Sequence, residues 1–280
     1  LHAGESDVEE LERLSRSFDW HQRRAVGWNP ATPAEILARL SRDSVAWVRE
    51  GVAGNQSASL DLIRLLAEDE NGYVRSAVAL NWKTPAELLD VLAEDVMADY
   101  DSSLQESRYI VKEAAAKNPN IGEASLHALA KDESEYVREA VAGNSIADED
   151  LLDRLSLDLS WVVRRKVATR SSRPDVLMRL GEDRITDVRE AAAANPKTPE
   201  EALRALSLDR VWEVRRKVAE NPAAPAEILE ALAGHWSFMV REAVSGNPNV
   251  PDSALDRLID DSDQSVKMAA SVARTRRQRP

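Results

Sequence analysis

An all-α solenoid of about ten two-helix repeats, each of about 26 residues, is the fold class that this 280-residue sequence predicts. Three observations carry the prediction. One phrase, a Val-Arg pair followed by small apolar residues and an Asn, returns along the chain. A helix-start signal follows several of the copies, and leucines three residues apart follow that signal. Chain length then measures copy number rather than core size, because a unit this small buries its apolar face only by stacking on its neighbours.

The phrase reads VREGVAGNQSAS from Val48, VRSAVALNWKTP from Val74, VREAVAGNSIAD from Val137, VREAAAANPKTP from Val188, VRRKVAENPAAP from Val214 and VREAVSGNPNVP from Val240. Its Asn falls at Asn29, Asn55, Asn81, Asn118, Asn144, Asn195, Asn221 and Asn247, with Arg170 in the same place between Asn144 and Asn195. Successive steps are 26, 26, 37, 26, 26, 25, 26 and 26. Residues 1–28 read as an N-terminal capping repeat, 29–265 as stacked repeats with an insertion at 96–107, and 266–280 as a degenerate copy (VKMAASVA from Val266) with a basic tail, all in one repeat domain.

The first helix of a copy begins at TPAE (Thr32–Glu35 and Thr84–Glu87), TPEE (Thr198–Glu201) or APAE (Ala224–Glu227). In the Thr copies a hydroxyl N-cap, Pro at the first helical position and Glu at the third satisfy otherwise orphaned amides. Leucine pairs follow at Leu37/Leu40, Leu89/Leu92, Leu126/Leu129, Leu152/Leu155, Leu203/Leu206 and Leu229/Leu232. Three-residue spacing places both members on one buried helical face. The second helix opens at the Val-Arg pair, and its small apolar residues allow close approach of neighbouring helices. Asn followed by Pro ends it, since Asn tolerates left-handed backbone and Pro cannot continue a helix.

The repeated pattern VRxxVAxNPxTPxELLxxLAxD resembles the leucine-rich repeat variant family, an α-helical relative of HEAT repeats. The likeness covers the chain from about Asp7 to Ala273. It implies a right-handed superhelix in which an α-helix alternates with a shorter, often 3₁₀, helix. The ordinary leucine-rich repeat, with its LxL strand, does not fit, because no alternating run follows Leu37 and Leu40. The family's founding type carries a cysteine-ligated iron–sulfur cluster, and this chain has no Cys. The resemblance therefore implies fold and no activity.

Composition narrows function further. Without cysteine there is no disulfide framework, thiolate zinc site, iron–sulfur cluster or Cys nucleophile, and four His leave little for metal or acid–base chemistry. No cofactor and no enzymatic activity are expected, as no phosphate-cradling Gly loop, GxSxG or HExxH occurs. No apolar run approaches the roughly 20 residues of a membrane span and the first residues are acidic, so a soluble, cytoplasmic monomer is expected. The chain begins at Leu, which reads either as a piece of a longer protein or as a non-Met start codon translated literally. Its net charge of -12 argues against phosphate neutralisation. The acid is concentrated: positions 1–140 hold 15 Lys and Arg against 26 Asp and Glu, and positions 141–280 hold 22 against 23.

One basic residue recurs in every copy: Arg23, Arg49, Arg75, Lys112, Arg138, Arg164, Arg189, Arg215, Arg241 and Lys267. An Asp stands six residues before it in most copies, at Asp43, Asp69, Asp132, Asp158, Asp183, Asp209 and Asp261. The pairing resembles the Asp and Arg ladder of HEAT repeats, which cross-links adjacent units; a phosphate-binding track is the competing reading. His235 breaks the Asp row opposite Arg241 and reads as a worn repeat. Lys166 and Lys217 complete two RRK triplets, read as solvated helix faces or a basic spot.

Trp47, Tyr73 and Tyr136 share the position before the Val-Arg pair, and Trp28 and Leu80 share another. If the second helices line a concave face, these five residues form an aromatic stripe in the acidic half, of the kind that anchors protein interfaces. Covering the seams between repeats is their alternative role. The insertion is expected to be an extended loop or an added helical turn, with or without a binding role. Together these features predict a non-enzymatic scaffold that binds another protein through the concave helical surface. The alternatives are a nucleic-acid-binding HEAT-like solenoid, sharing general architecture with alkylpurine DNA glycosylases, and a structural spacer of a larger protein.

Overall fold

In a computed structural model, residues 3–97, 99–101 and 106–278 are described. Among them twenty α-helices alternate as predicted between a leucine helix and a Val-Arg helix, giving an α-solenoid of stacked helix pairs. The chain, read from sequence as one repeat domain, groups into two compact units, Leu1–Ala147 and Asp148–Pro280. No helix among the described residues is long and apolar enough to cross a membrane.

In the first unit the Val-Arg helices Trp20–Trp28, Ala46–Ala53, Gly72–Leu80, Ile110–Lys117 and Glu135–Gly143 pack on one another in chain order. Trp161–Arg170, Thr186–Ala194, Trp212–Glu220, Phe238–Gly246 and Gln264–Gln278 do the same in the second. The leucine helices, such as Leu60–Ala67, Ala86–Ala93, Pro174–Gly181 and Glu200–Leu206, form the other layer. Leu37, Leu40, Leu89, Leu126, Leu152, Leu203 and Leu206 are buried between the layers, and so are the valines of the repeated phrase. Each fully buried leucine contributes about 1.5–3 kcal/mol, and a residue as small as Ala in the Val-Arg helices keeps the spacing tight.

Two local readings change. Pro33, Pro85 and Pro199 occupy the N-cap position of their helices, and no side chain caps these ends. The Thr hydroxyls donate backwards instead, Thr32 to Val26 O at 2.7 Å, Thr84 to Val78 O and Thr198 to Ala192 O both at 2.6 Å. Each of these carbonyls also accepts the amide of the closing Asn, as Val78 O does from Asn81 N at 3.0 Å, so the hydroxyl fills its second lone pair inside the seam while the helix start stays uncapped. The closing Asn is extended rather than left-handed, with φ -70° and ψ 123° at Asn81.

The insertion is a short antiparallel hairpin, Asp99–Asp101 against Glu106–Arg108, rather than a plain loop or a helical turn. Residues 98 and 102–105 of the insertion lie outside the described residues. The hairpin leaves the stack intact. Gly72–Leu80 packs directly on Ile110–Lys117 despite the 37-residue step between their Asn residues.

Candidate functional site

In seven copies the basic row forms a cross-link from a Val-Arg helix to the next repeat, 19 or 20 residues on. Arg49 donates from Nε to Asp69 Oδ2 at 2.6 Å and from Nη2 to Oδ1 at 2.8 Å. Arg23 with Asp43, Arg75 with Asp95, Arg164 with Asp183, Arg189 with Asp209 and Arg241 with Asp261 repeat the 2.6 Å contact. Lys112 reaches Asp132 at 2.8 Å. The six-residue spacing within a copy has a different meaning: the Arg Nη1 donates to the backbone carbonyl of its own Asp, as Arg49 does to Asp43 O and Arg138 to Asp132 O. Asp158 O likewise accepts from Arg164.

Each ladder Asp also accepts the amide two residues on, as Asp69 does from Asn71 at 2.9 Å. Burial raises the Asp69 pKa, but the hydrogen bonds from Arg49 and the Asn71 amide, with the charges of Arg49 and Arg75, outweigh it and hold the carboxyl below its ordinary value. Asp43, Asp183 and Asp209 follow the same balance. At Asp261 the Arg241 hydrogen bond is the largest influence and lowers the carboxyl too. Paired in this way, the row is an internal strut and its carboxylates and guanidiniums are largely satisfied.

The Asn row is a second strut. Asn81 donates from Nδ2 to Ala53 O and Asn55 O, and its Oδ1 accepts from Lys83 N. Asn55, Asn118, Asn144, Asn221 and Asn247 repeat this arrangement, each on the two matching carbonyls of the preceding repeat. Asn118 reaches back across the insertion to Ala79 O at 2.7 Å, which keeps the stack in register.

The aromatic residues separate into two environments. Trp47 lies with its ring centroid 5.2 Å from that of Tyr73, and the Arg24 guanidinium sits 5.5 Å over the Trp47 ring. Arg24 also pairs with Glu50 at 3.0 Å. Trp28 lays its ring against Gly54, where an added Cβ would stand 2.3 Å from Cη2. Trp28, Trp47, Tyr73 and Leu80 nevertheless remain 44, 41, 39 and 56% exposed. Tyr136 is half-buried, with the Arg108 guanidinium 4.2 Å from its ring centroid, so the end of the inserted hairpin covers it.

The His235 break in the second unit's ladder is visible in the sequence, but the Arg it affects is not Arg241. The Asp that would answer Arg215, 20 residues on, is replaced by His235, whereas Arg241 has its partner in Asp261. Arg215 Nε and His235 Nε2 are buried without a hydrogen-bond partner. Burial lowers the His235 pKa, and the charge of Arg215 lowers it further. Of the RRK triplets, Lys217 and Arg216 both pair with Glu220, and Arg165 lies 5.2 Å over Trp161.

Two consecutive copies, residues 186–211 and 212–235, match the leucine rich repeat variant family. Over these two copies the chain is similar to that family. A solved structure described as a leucine-rich repeat variant with a novel repetitive protein structural motif superposes with a TM-score of 0.59 at 24% identity, covering 83% of this chain and 88% of that one. That likeness bears on fold. An engineered protein matches at 17% identity and TM-score 0.41, covering 96% and 98%, and a designed armadillo repeat protein in complex with the peptide (KR)4 at 15% and 0.21, covering 96% and 98%. No curated protein matches. The recurring Arg and Asn positions that carry these struts are thus accounted for by stacking, which leaves the residues that vary between copies as the candidates for function.

Proposed function

We propose that this chain is a non-enzymatic repeat scaffold, a cytoplasmic monomer, whose Val-Arg helices in the first unit bind another protein. The observation that supports it is the exposed apolar set Trp28, Trp47, Tyr73 and Leu80 on consecutive helices of one layer. Surface Trp and Tyr of this kind supply most of the energy of protein interfaces when a partner buries them. Tyr136 belongs to the same repeat position, with its ring covered by Arg108, which pairs with Glu113. The acid-rich composition of positions 1–140, 15 basic against 26 acidic residues, favours a partner with a basic rim.

The experiment is quantitative affinity capture with the wild-type chain and a Trp47→Ser/Tyr73→Ser variant whose circular dichroism matches wild type. Partners held by wild type should be lost by the variant, and a duplex DNA gel shift should be absent at low salt. Equal capture by both proteins would sink the aromatic surface, and a salt-sensitive DNA shift would replace the reading with a nucleic-acid-binding one.

A further inference from the structure

Within the second unit an intact ladder Asp does two things. One oxygen accepts the amide two residues on, at 2.8 Å for Asp183, Asp209 and Asp261 alike. The carboxylate also takes the guanidinium of the preceding repeat. His235 performs only the first task. Ser237 N donates to its Nδ1 at 3.0 Å, which makes Nδ1 the acceptor and leaves the ring proton on Nε2. Arg215 therefore meets a donor where its neighbours meet a carboxylate. Neither Arg215 Nε nor His235 Nε2 finds a partner, and Arg215 has no ion pair among the described residues.

Exposed apolar side chains flank this gap, as Leu157 and Leu159 flank Asp158, but here they flank a rung without its carboxylate. Trp236, directly after His235, is 73% exposed, with its ring centroid 5.2 Å from the imidazole. In the intact rung of Arg49 the equivalent residue is Glu70, whose carboxylate lies 3.7 Å from Nη2. Here that second acceptor is also missing. In the preceding loop Leu208 is 83% exposed, and the exposed Arg210 has no ion pair among the described residues. Asp209 between them is taken by Arg189. Two cations without an ion pair among the described residues, Arg210 and Arg215, and two exposed apolar side chains, Leu208 and Trp236, thus belong to the two consecutive copies that form this rung.

We propose that the broken rung is a docking site for an acidic segment of a partner protein. A carboxylate of that segment takes the place of the missing ladder Asp on Arg215, assisted by Arg210, while apolar residues beside it pack on Leu208 and Trp236. The carboxylate completes in trans the contact that every other Arg rung described here with its acceptor makes in cis. Charge complementarity selects the partner: a basic segment would add cations to a place that already lacks an anion.

The test uses fluorescence anisotropy with a labelled synthetic peptide of alternating Glu and Leu, against a Lys and Leu peptide of equal length. His235→Asp closes the rung internally and should add stability, so that loss of binding by this variant is not a folding failure. The acidic peptide should bind wild type, and His235→Asp, Arg215→Gln and Trp236→Ser should each weaken it by about tenfold or more, the weight of a lost charge-assisted hydrogen bond or buried aromatic. Trp236 emission should shift on binding in the wild-type chain. Equal affinity of His235→Asp and wild type, equal binding of the Lys and Leu peptide, or no binding of the acidic peptide would overturn the proposal.

Discussion

Removing one Asn side chain tests whether the repeats are held by their conserved-looking grammar or by apolar packing alone. Asn81 is 1% exposed, and Asn81→Ala deletes three hydrogen bonds: Nδ2 to Ala53 O at 2.9 Å, Nδ2 to Asn55 O at 3.2 Å, and Lys83 N to Oδ1 at 3.0 Å. At a net worth of about 1 kcal/mol each, the loss is about 3 kcal/mol. Asn55 O keeps the Ala58 amide at 3.1 Å, so it is not stranded. Ala53 O loses its Asn81 donor in a buried seam, which moves the expected loss toward about 4 kcal/mol. Asn29 supplies the control. Its Oδ1 accepts from Ala31 N at 2.9 Å and its side chain lies at the first, partly exposed copy, so Asn29→Ala should cost about 1 kcal/mol. Equilibrium urea unfolding followed by far-ultraviolet circular dichroism measures both. A loss below about 1 kcal/mol for Asn81→Ala, or equal losses for the two variants, would refute the reasoning and assign the seam to packing.

Three further outcomes are expected. The ladder carboxylates of Asp43, Asp69, Asp183, Asp209 and Asp261 have folded-state pKa values below the ordinary 3.8 of an Asp, so the unfolded chain takes up protons first as pH falls. Their contribution is fully present above that value and is lost as pH falls through 3.8 toward the lowered folded values; a thermal midpoint that stays flat across this window would contradict it. His235→Asp should raise the unfolding free energy by about 1.5–3 kcal/mol at neutral pH, the range for hydrogen bonds to charged groups, and a neutral or negative change would mean that Arg215 is content without a carboxylate. Gly54→Ala should displace the Trp28 ring, which is already 44% exposed and free to swing out, and red-shift its fluorescence at little cost in stability. Gly27→Ala should cost more, about 1–3 kcal/mol, because its Cβ would stand 3.2 Å from the Val52 backbone nitrogen, which cannot swing away. The reverse order would discount the close approach of these two helices.

The helices were legible because periodicity is a one-dimensional property: Leu37 and Leu40 three residues apart, or Val48 and Val52 four apart, fix a buried face wherever the copy sits in the stack. Partner choice is not one-dimensional. Thr84 has a local amide within reach in sequence, but its hydroxyl serves the second lone pair of Val78 O, which the fold brings beside it. The Asn row reads from sequence as helix C-caps and inter-repeat hydrogen bonds, but only the fold names the acceptors of Asn81, carbonyls 26 and 28 residues away. The Asp and Arg spacing of six is real in both descriptions, yet its contact is Arg49 Nη1 to Asp43 O, and the charge pair runs forward to Asp69. That shift of one repeat decides which residue the His235 substitution leaves without an acceptor. Read within a copy, the orphan is Arg241; read across the stack, Arg241 is paired and Arg215 is not. Tyr136 makes the same point at the surface. Its repeat position groups it with Trp47 and Tyr73, but only the fold brings Arg108 from the insertion over its ring. In a stack of near-identical units the shared residues describe how one copy meets the next. Where a copy departs from them, the unmet donor or the uncovered ring has a partner to find elsewhere, and the geometry of the neighbouring copy specifies its chemistry.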